Sequence, residues 1–213
     1  MKFNRDMLLL YAVTDRSWVG QQTLLEQIEA ALRGGVTIVQ LREKTLDEES
    51  FLQEAIEVRK LCRRYNVPLI INDNVEIALK SGADGVHVGI EDAPVEEIRA
   101  HVPKDFIIGA TCKTVQQAKA AEAAGADYMG VGAVFPSPTK TNAVRITNEE
   151  LRAIVSAVSI PAVAIGGING ENILSICGSG VSGAAVVSAI FGAADIEAAA
   201  AQLKEQAKAV VSG

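Results

Sequence analysis

Eight short apolar runs alternate with longer amphipathic stretches from one end of the chain to the other, and few architectures accept that pattern. The runs cover residues 8–14, 37–42, 68–72, 85–89, 106–111, 128–135, 161–165 and 183–190. Their β-branched content and near-continuous apolarity predict strands covered on both faces, as in a parallel sheet. Between them, residues 24–32, 47–65, 114–124, 148–158 and 195–211 read as helices. Asp47, Thr114 and Asn148 stand where N-caps belong. Gly34, Gly35, Gly82 and Gly125 fall where helices should end. Two segments recur, Ser81-Gly82-Ala83-Asp84-Gly85 and Ala124-Gly125-Ala126-Asp127-Tyr128, each a helix end returning to a strand. Eight such units in 213 residues predict an α/β fold of the (β/α)8 TIM-barrel type. A doubly wound open sheet is the alternative. No linker, low-complexity tract or composition shift divides the chain, so residues 1–213 are expected to form a single barrel domain.

Charge and cysteine content narrow the function classes. With 49% hydrophobic and 22% charged residues the chain is an ordinary globular sequence. Its net charge of −6 argues against a nucleic-acid or membrane surface, both of which need broad positive fields. A local cluster of cations can still bind a small anion. The three cysteines, Cys62, Cys112 and Cys177, have neither metal-ligand nor redox spacing, and an odd number fits a reducing compartment. The apolar stretch at 7–13 is too short to span a membrane and lacks a signal peptide's basic start and cleavage site. A cytoplasmic protein is expected.

Barrel enzymes place their sites at the C-terminal ends of the strands. The second strand runs through Gln40, Leu41, Arg42, Glu43 and Lys44. Side chains alternate faces, so Gln40, Arg42 and Lys44 share one face, and the apolar face should pack on helices. The polar set therefore lines the barrel mouth, where two cations and an amide can grip an anion; an internal ion-pair layer is the other reading. Asn72 and Asp73 end the third strand, and Asp92 follows the fourth. Mg²⁺ prefers one or two carboxylates plus waters and phosphate oxygens, so Asp73 and Asp92 suit a metal–diphosphate pair. Taken singly, either aspartate reads equally well as a helix cap. His87 reads as a packed strand histidine and His101 as a surface residue. The longest irregular piece, 136–146, carries Ser137, Pro138, Thr139 and Lys140, hydroxyls and a cation on a proline-stiffened loop. After the seventh strand, Gly166 and Gly167 let backbone N–H groups approach a phosphate. Two anion sites are expected, one with a divalent metal and one without. No Ser–His–Asp or Cys–His nucleophile pattern and no P-loop motif is present.

Together these residues resemble the thiamin phosphate synthase family over nearly the whole chain. The carriers are Tyr11-Ala12-Val13-Thr14-Asp15, Gln40-Leu41-Arg42-Glu43-Lys44, Ile71-Asn72-Asp73, Gly85-Val86-His87-Val88-Gly89 with Glu91-Asp92, the 136–142 loop, and Ala164-Ile165-Gly166-Gly167-Ile168. The resemblance implies that the Gln40, Leu41, Arg42, Glu43, Lys44 segment, Asn72 and Lys140 hold an aminopyrimidine methyl diphosphate. It makes Asp73 and Asp92 the Mg²⁺ ligands. It assigns Ser137, Pro138, Thr139, Gly167, Val187 and Ser188 to a thiazole phosphate. Thr111 matches a hydroxyl position, often serine, that contacts the pyrimidine. Arg42, Lys44, Lys140 and Thr111 would be the catalytic set. The implied reaction expels pyrophosphate from the pyrimidine, leaving a stabilised carbocation that the thiazole nitrogen attacks. Small-molecule substrates, with no nucleic acid or membrane partner, follow, and a homo-oligomer is compatible with the sequence. A thiazole tautomerase, a sugar-phosphate isomerase or epimerase and a non-catalytic phosphate sensor are the alternatives: the first has no need of a metal–diphosphate grip, the second does not explain both the metal pair and the cationic strand, and the third would bind the ligands but release no pyrophosphate.

Overall fold

The computed structural model describes residues 2–136 and 145–213. The predicted alternation becomes β1 (Leu10–Val13), α1 (Leu24–Arg33), β2 (Ile38–Leu41), α2 (Glu48–Arg64), β3 (Leu69–Asn72), α3 (Val75–Ser81), β4 (Gly85–Val88) and α4 (Val95–His101). It continues with β5 (Ile107–Cys112), α5 (Val115–Ala123), β6 (Tyr128–Val131), α6 (Asn148–Ser156) and β7 (Ala162–Ile165). A 3-10 turn at Ile173–Ile176 stands in for the next helix, and β8 (Gly183–Val186), α7 (Ser188–Phe191) and α8 (Ile196–Ser212) close the order. The strands pair in parallel, each with its sequence neighbour, and β8 returns to β1 through Leu10↔Ala184. The sheet is therefore closed, and the open-sheet alternative falls away.

Two apolar layers hold the barrel. Outward residues such as Leu10, Val39, Leu41, Ile71, Val86, Ile108 and Met129 pack against the helices, all buried. Inward residues such as Tyr11, Val13, Ile38, Ile70, Ile107, Tyr128 and Val163 fill the interior. Each fully buried aliphatic side chain of this kind stabilises the fold by roughly 1.5–3 kcal/mol. The floor is sealed by the 3-10 turn at Arg5–Leu8, with Leu8 buried and the Phe3 ring stacked on Tyr128 at 5.8 Å.

Helix boundaries follow side-chain capping chemistry. Asp47 and Thr114 cap α2 and α5 as expected, accepting from Ser50 N and Gln117 N. At α6 the cap is Thr147, not Asn148: Thr147 and Glu150 form a reciprocal capping box, so Asn148 becomes the first helical residue. Gly82 ends α3 at φ 68°, the left-handed geometry a Cβ disfavours. Two strands fall furthest short of the apolar pattern. The β6 strand stops at Val131 and β8 at Val186, after which Ser188 begins α7.

The recurrent segments have one shared task at the N-terminal end of the barrel. Asp84 accepts from Leu69 N at 2.8 Å and from Arg59 Nη2 at 3.0 Å, while Arg59 Nε donates to Gly82 O. Asp127 accepts from Ile108 N at 2.7 Å and from Arg99 Nη2 at 2.6 Å, while Arg99 Nε donates to Gly125 O. Each aspartate thus takes up a strand N–H that lies near the start of the neighbouring strand, and an arginine from the helix before that strand locks the corner. The repeat is a structural clamp used twice.

Candidate functional site

At the opposite end the strands open into a cavity of about 370 Å³, within the range of small-ligand pockets. Gln40, Arg42 and Lys44 reach it from β2 and the residues after it; Asn72 and Asp73 reach it from β3. Asp92 enters from beyond β4, Thr111 from β5, Gly167 from beyond β7, and Val187 and Ser188 from beyond β8. The β2 alternation reads as expected, because Leu41 is fully buried on the outward face. Glu43 also faces away, accepting from Arg16 Nε at 2.8 Å with its side chain almost wholly buried. Burial raises its pKa, and Arg16 pulls it back only in part. The side chains of Leu41 and Glu43 are thus not among those lining the cavity. Ser137, Pro138, Thr139 and Lys140 lie outside the described residues.

Two cations at the mouth, Lys44 and Arg42, are held in ion pairs. Lys44 Nζ donates to Asp73 Oδ2 at 2.7 Å, and Arg42 Nη1 to Asp15 Oδ2 at 3.3 Å. Asp15 is 7% exposed and also accepts from Ser17 N, so it is a fixed anchor that steadies the Arg42 guanidinium. Thr14 Oγ1 adds a bond from Arg42 N at 2.9 Å. Asp73 sits at φ 62°, a left-handed conformation uncommon outside glycine, though aspartate is among the residues that tolerate it best. Such conformations concentrate at functional sites. Asp92 accepts from Gly89 N at 2.6 Å, steadying the turn after β4. It does not cap α4, whose N-terminal flank is Pro94 without a side-chain bond.

Asp73 and Asp92 offer hard carboxylate oxygens on one cavity wall, and among the described residues no group of three potential protein ligands exists. That set fits Mg²⁺, which commonly takes one or two carboxylates and completes its shell with water and phosphate oxygens.

Across the loops after β6 and β7 the backbones touch. Gly167 is at φ 66°, and a Cβ there would stand 2.2 Å from Pro136 O. The glycine is needed both for the turn and for this approach, which brings the start of the 136–146 segment against the cavity wall. No thiol takes part. Cys112 faces outward from β5, and burial pushes its pKa up to about 11.

Three groups have roles that sequence reasoning missed. Asp15 was visible as part of a motif but had no assigned task. Lys113 also lines the cavity, two residues beyond Thr111 and hence on the same side of that segment, a period-two signal that points to it. Tyr11 and Tyr128 meet inside the barrel, their hydroxyl oxygens 2.7 Å apart, and His87 bonds to Tyr128 and Thr111. His87 is therefore a packed, hydrogen-bonded strand residue, as its position in a β-run suggests, and it also borders the cavity. His101 is exposed, at the end of α4.

Comparison with known proteins accounts for this arrangement. The family model described as thiamine monophosphate synthase matches residues 10–190. A thiamine-phosphate synthase of Ruminiclostridium cellulolyticum is 49% identical over 92% of this chain and 93% of its own. One from Alkaliphilus oremlandii is 45% identical over 98% of this chain and 100% of its own. The solved structure of a thiamine phosphate pyrophosphorylase from Pyrococcus furiosus superposes with a TM-score of 0.90 at 39% identity, covering 97% and 98% of the two chains. With its closed barrel and its polar strand-end cavity, the chain belongs to the thiamine monophosphate synthase family, transferases that make thiamine phosphate.

Proposed function

We propose that the cavity joins a 4-amino-2-methyl-5-(diphosphomethyl)pyrimidine to a thiazole phosphate, as the carboxythiazole or hydroxyethylthiazole form, and releases pyrophosphate by a dissociative path. The observation that carries this reading is the convergence of Gln40, Arg42, Lys44, Asn72, Asp73, Asp92 and Thr111 on one cavity. Arg42 and Lys44 stand where they can neutralise a departing diphosphate, and Asp15 and Asp73 keep both cations aimed at the mouth. Asp73 and Asp92 would hold Mg²⁺, which would supply further charge neutralisation for a departing diphosphate. The Gln40 amide and the Thr111 hydroxyl are the polar contacts for the pyrimidine, with Asn72 beside them. Leu41 and Glu43, which do not line the cavity, support the segment from behind, Leu41 packed in the core and Glu43 paired with Arg16. On the far side, Gly167, Val187 and Ser188 form the phosphate end of the thiazole site, in the strand-seven and strand-eight region where barrels commonly bind phosphate. By the family resemblance, Ser137, Pro138 and Thr139 serve the thiazole phosphate and Lys140 the diphosphate. The chemistry needs preorganised positive charge and a dry cavity instead of a protein nucleophile, and such charge supplies much of an enzyme's rate. The chain works as one cytoplasmic catalytic domain.

Purified protein given both substrates tests this directly, with pyrophosphate and thiamin phosphate measured in Mg²⁺ and then in EDTA. Metal-dependent formation of both products is expected. Binding of both ligands by folded, metal-loaded protein without product would overturn the reading in favour of a sensor or a tautomerase.

A further inference from the structure

We propose that Gln40, Tyr11, Tyr128, His87 and Thr111 form one directional hydrogen-bond chain across the barrel interior, in which Tyr11, Tyr128 and His87 are positioning residues that aim the Thr111 hydroxyl proton into the cavity. The contacts are continuous. Gln40 Nε2 lies 2.8 Å from Tyr11 Oη, and Tyr11 Oη lies 2.7 Å from Tyr128 Oη. His87 Nδ1 is 3.0 Å from that second hydroxyl, and His87 Nε2 is 3.1 Å from Thr111 Oγ1. The chain thus passes from β2 through β1, β6 and β4 to β5, joining two opposed polar contacts of the cavity.

Its direction is set at Gln40, whose amide nitrogen can only donate. Tyr11 accepts there and passes its own proton to Tyr128. Tyr128 in turn donates to His87 Nδ1, which leaves the imidazole proton on Nε2 to be donated to Thr111 Oγ1. The Thr111 proton is then available to a ligand acceptor, such as a heteroaromatic ring nitrogen. Burial raises the pKa of both phenols, so neither ionises and the proton order is not scrambled.

A second observation shows that the interior is shaped around this chain. A Cβ at Gly109 would stand 2.2 Å from Tyr128 Cζ and 2.5 Å from His87 Nδ1, and one at Gly130 would stand 3.1 Å from His87 Cε1. β5 and β6 each carry a glycine beside the histidine ring. The positioning role rests on the reading of Thr111 as a substrate contact; the proton order itself does not.

The test is long-range ¹H–¹⁵N spectroscopy of protein labelled at its two histidines, His87 and His101, with His101→Gln removing the exposed one. The expected signature of His87 is the neutral Nε2–H tautomer. Tyr128→Phe, or Tyr11→Phe if the first does not fold, should mix the tautomers and lower kcat/KM about tenfold, the scale of one neutral hydrogen bond. An Nδ1–H tautomer in the parent protein, or an Nε2–H signal unmoved by Tyr128→Phe in a folded sample, overturns the proton order. Thr111→Val separates the two readings. If it lowers kcat/KM while Tyr128→Phe does not, the positioning role is wrong. If Thr111→Val is itself silent, the assignment of Thr111 to the substrate fails, and the positioning role with it.

Discussion

The two ends of this barrel carry the same kinds of charged residue and use them in opposite ways. At the N-terminal end, Asp84 and Asp127 face strand N–H groups and arginines, and every close contact described there is internal. The Arg59–Asp84 pair is sunk into the rim, with side chains 11% and 3% exposed. At the C-terminal end, the Lys44–Asp73 pair is 53% and 29% exposed and borders the cavity. A pair locked by backbone bonds holds a corner. A pair held only by its two side chains, facing water, can exchange partners with a ligand. Which role a charge takes depends less on residue type than on which end of a strand it occupies.

That contrast predicts separable losses. Lys44→Ala or Arg42→Ala should lower kcat/KM by about 10²–10³-fold, the effect of deleting one preorganised charge-stabilising group, with little change in the urea midpoint. Near-parental turnover in either variant would dissolve the distinction between the two ends. Asp84→Ala should do the reverse, costing about 3 kcal/mol in urea unfolding because Arg59 is left buried and unpaired, with kcat preserved in the folded fraction. Asp127→Ala breaks the same clamp at a more exposed site, so about 1–2 kcal/mol is expected after allowance for solvent screening. Equal losses at the two clamps would show that burial is not what ranks them. Thr114→Ala removes a single cap from α5 and should cost about 1 kcal/mol, read by thermal unfolding.

The smallest effect expected is a pH dependence. The Thr147 N–H and hydroxyl hold the Glu150 carboxyl below its ordinary pKa. A depressed carboxylate contributes stability above its unfolded pKa, and that contribution is lost as pH falls through the folded value. Glu150→Gln should therefore lower Tm slightly at pH 7 and leave it unchanged in strong acid. A difference that grew toward acid pH would reverse the sign and exclude this account of the cap.

How much was legible depended on the range of the interaction involved. The inward aim of Gln40, Arg42 and Lys44 followed from alternation alone, because the pleat has a period of two and the apolar partners Val39 and Leu41 had to face the helices. The Asp84 and Asp127 repeat was visible as a pattern, but its purpose was not. Arg59 and Arg99 stand 25 and 28 residues away from their aspartates and meet them only once the helices have docked. Asn148 stands in the sequence where a cap belongs, but the reciprocal bonds of Thr147 and Glu150 set the boundary one residue earlier.

By itself, the sequence determined the strand count and the parallel order implied by helical crossovers, since both rest on local periodicity and chain connectivity. Removal of the open-sheet alternative, the pairing of Glu43 with Arg16 outside the cavity, and the bond between Tyr11 and Tyr128 across 117 residues were decided by tertiary structure. The physical reason is that these depend on which side chains converge in the interior, and on the glycines at 109 and 130 that leave room for them.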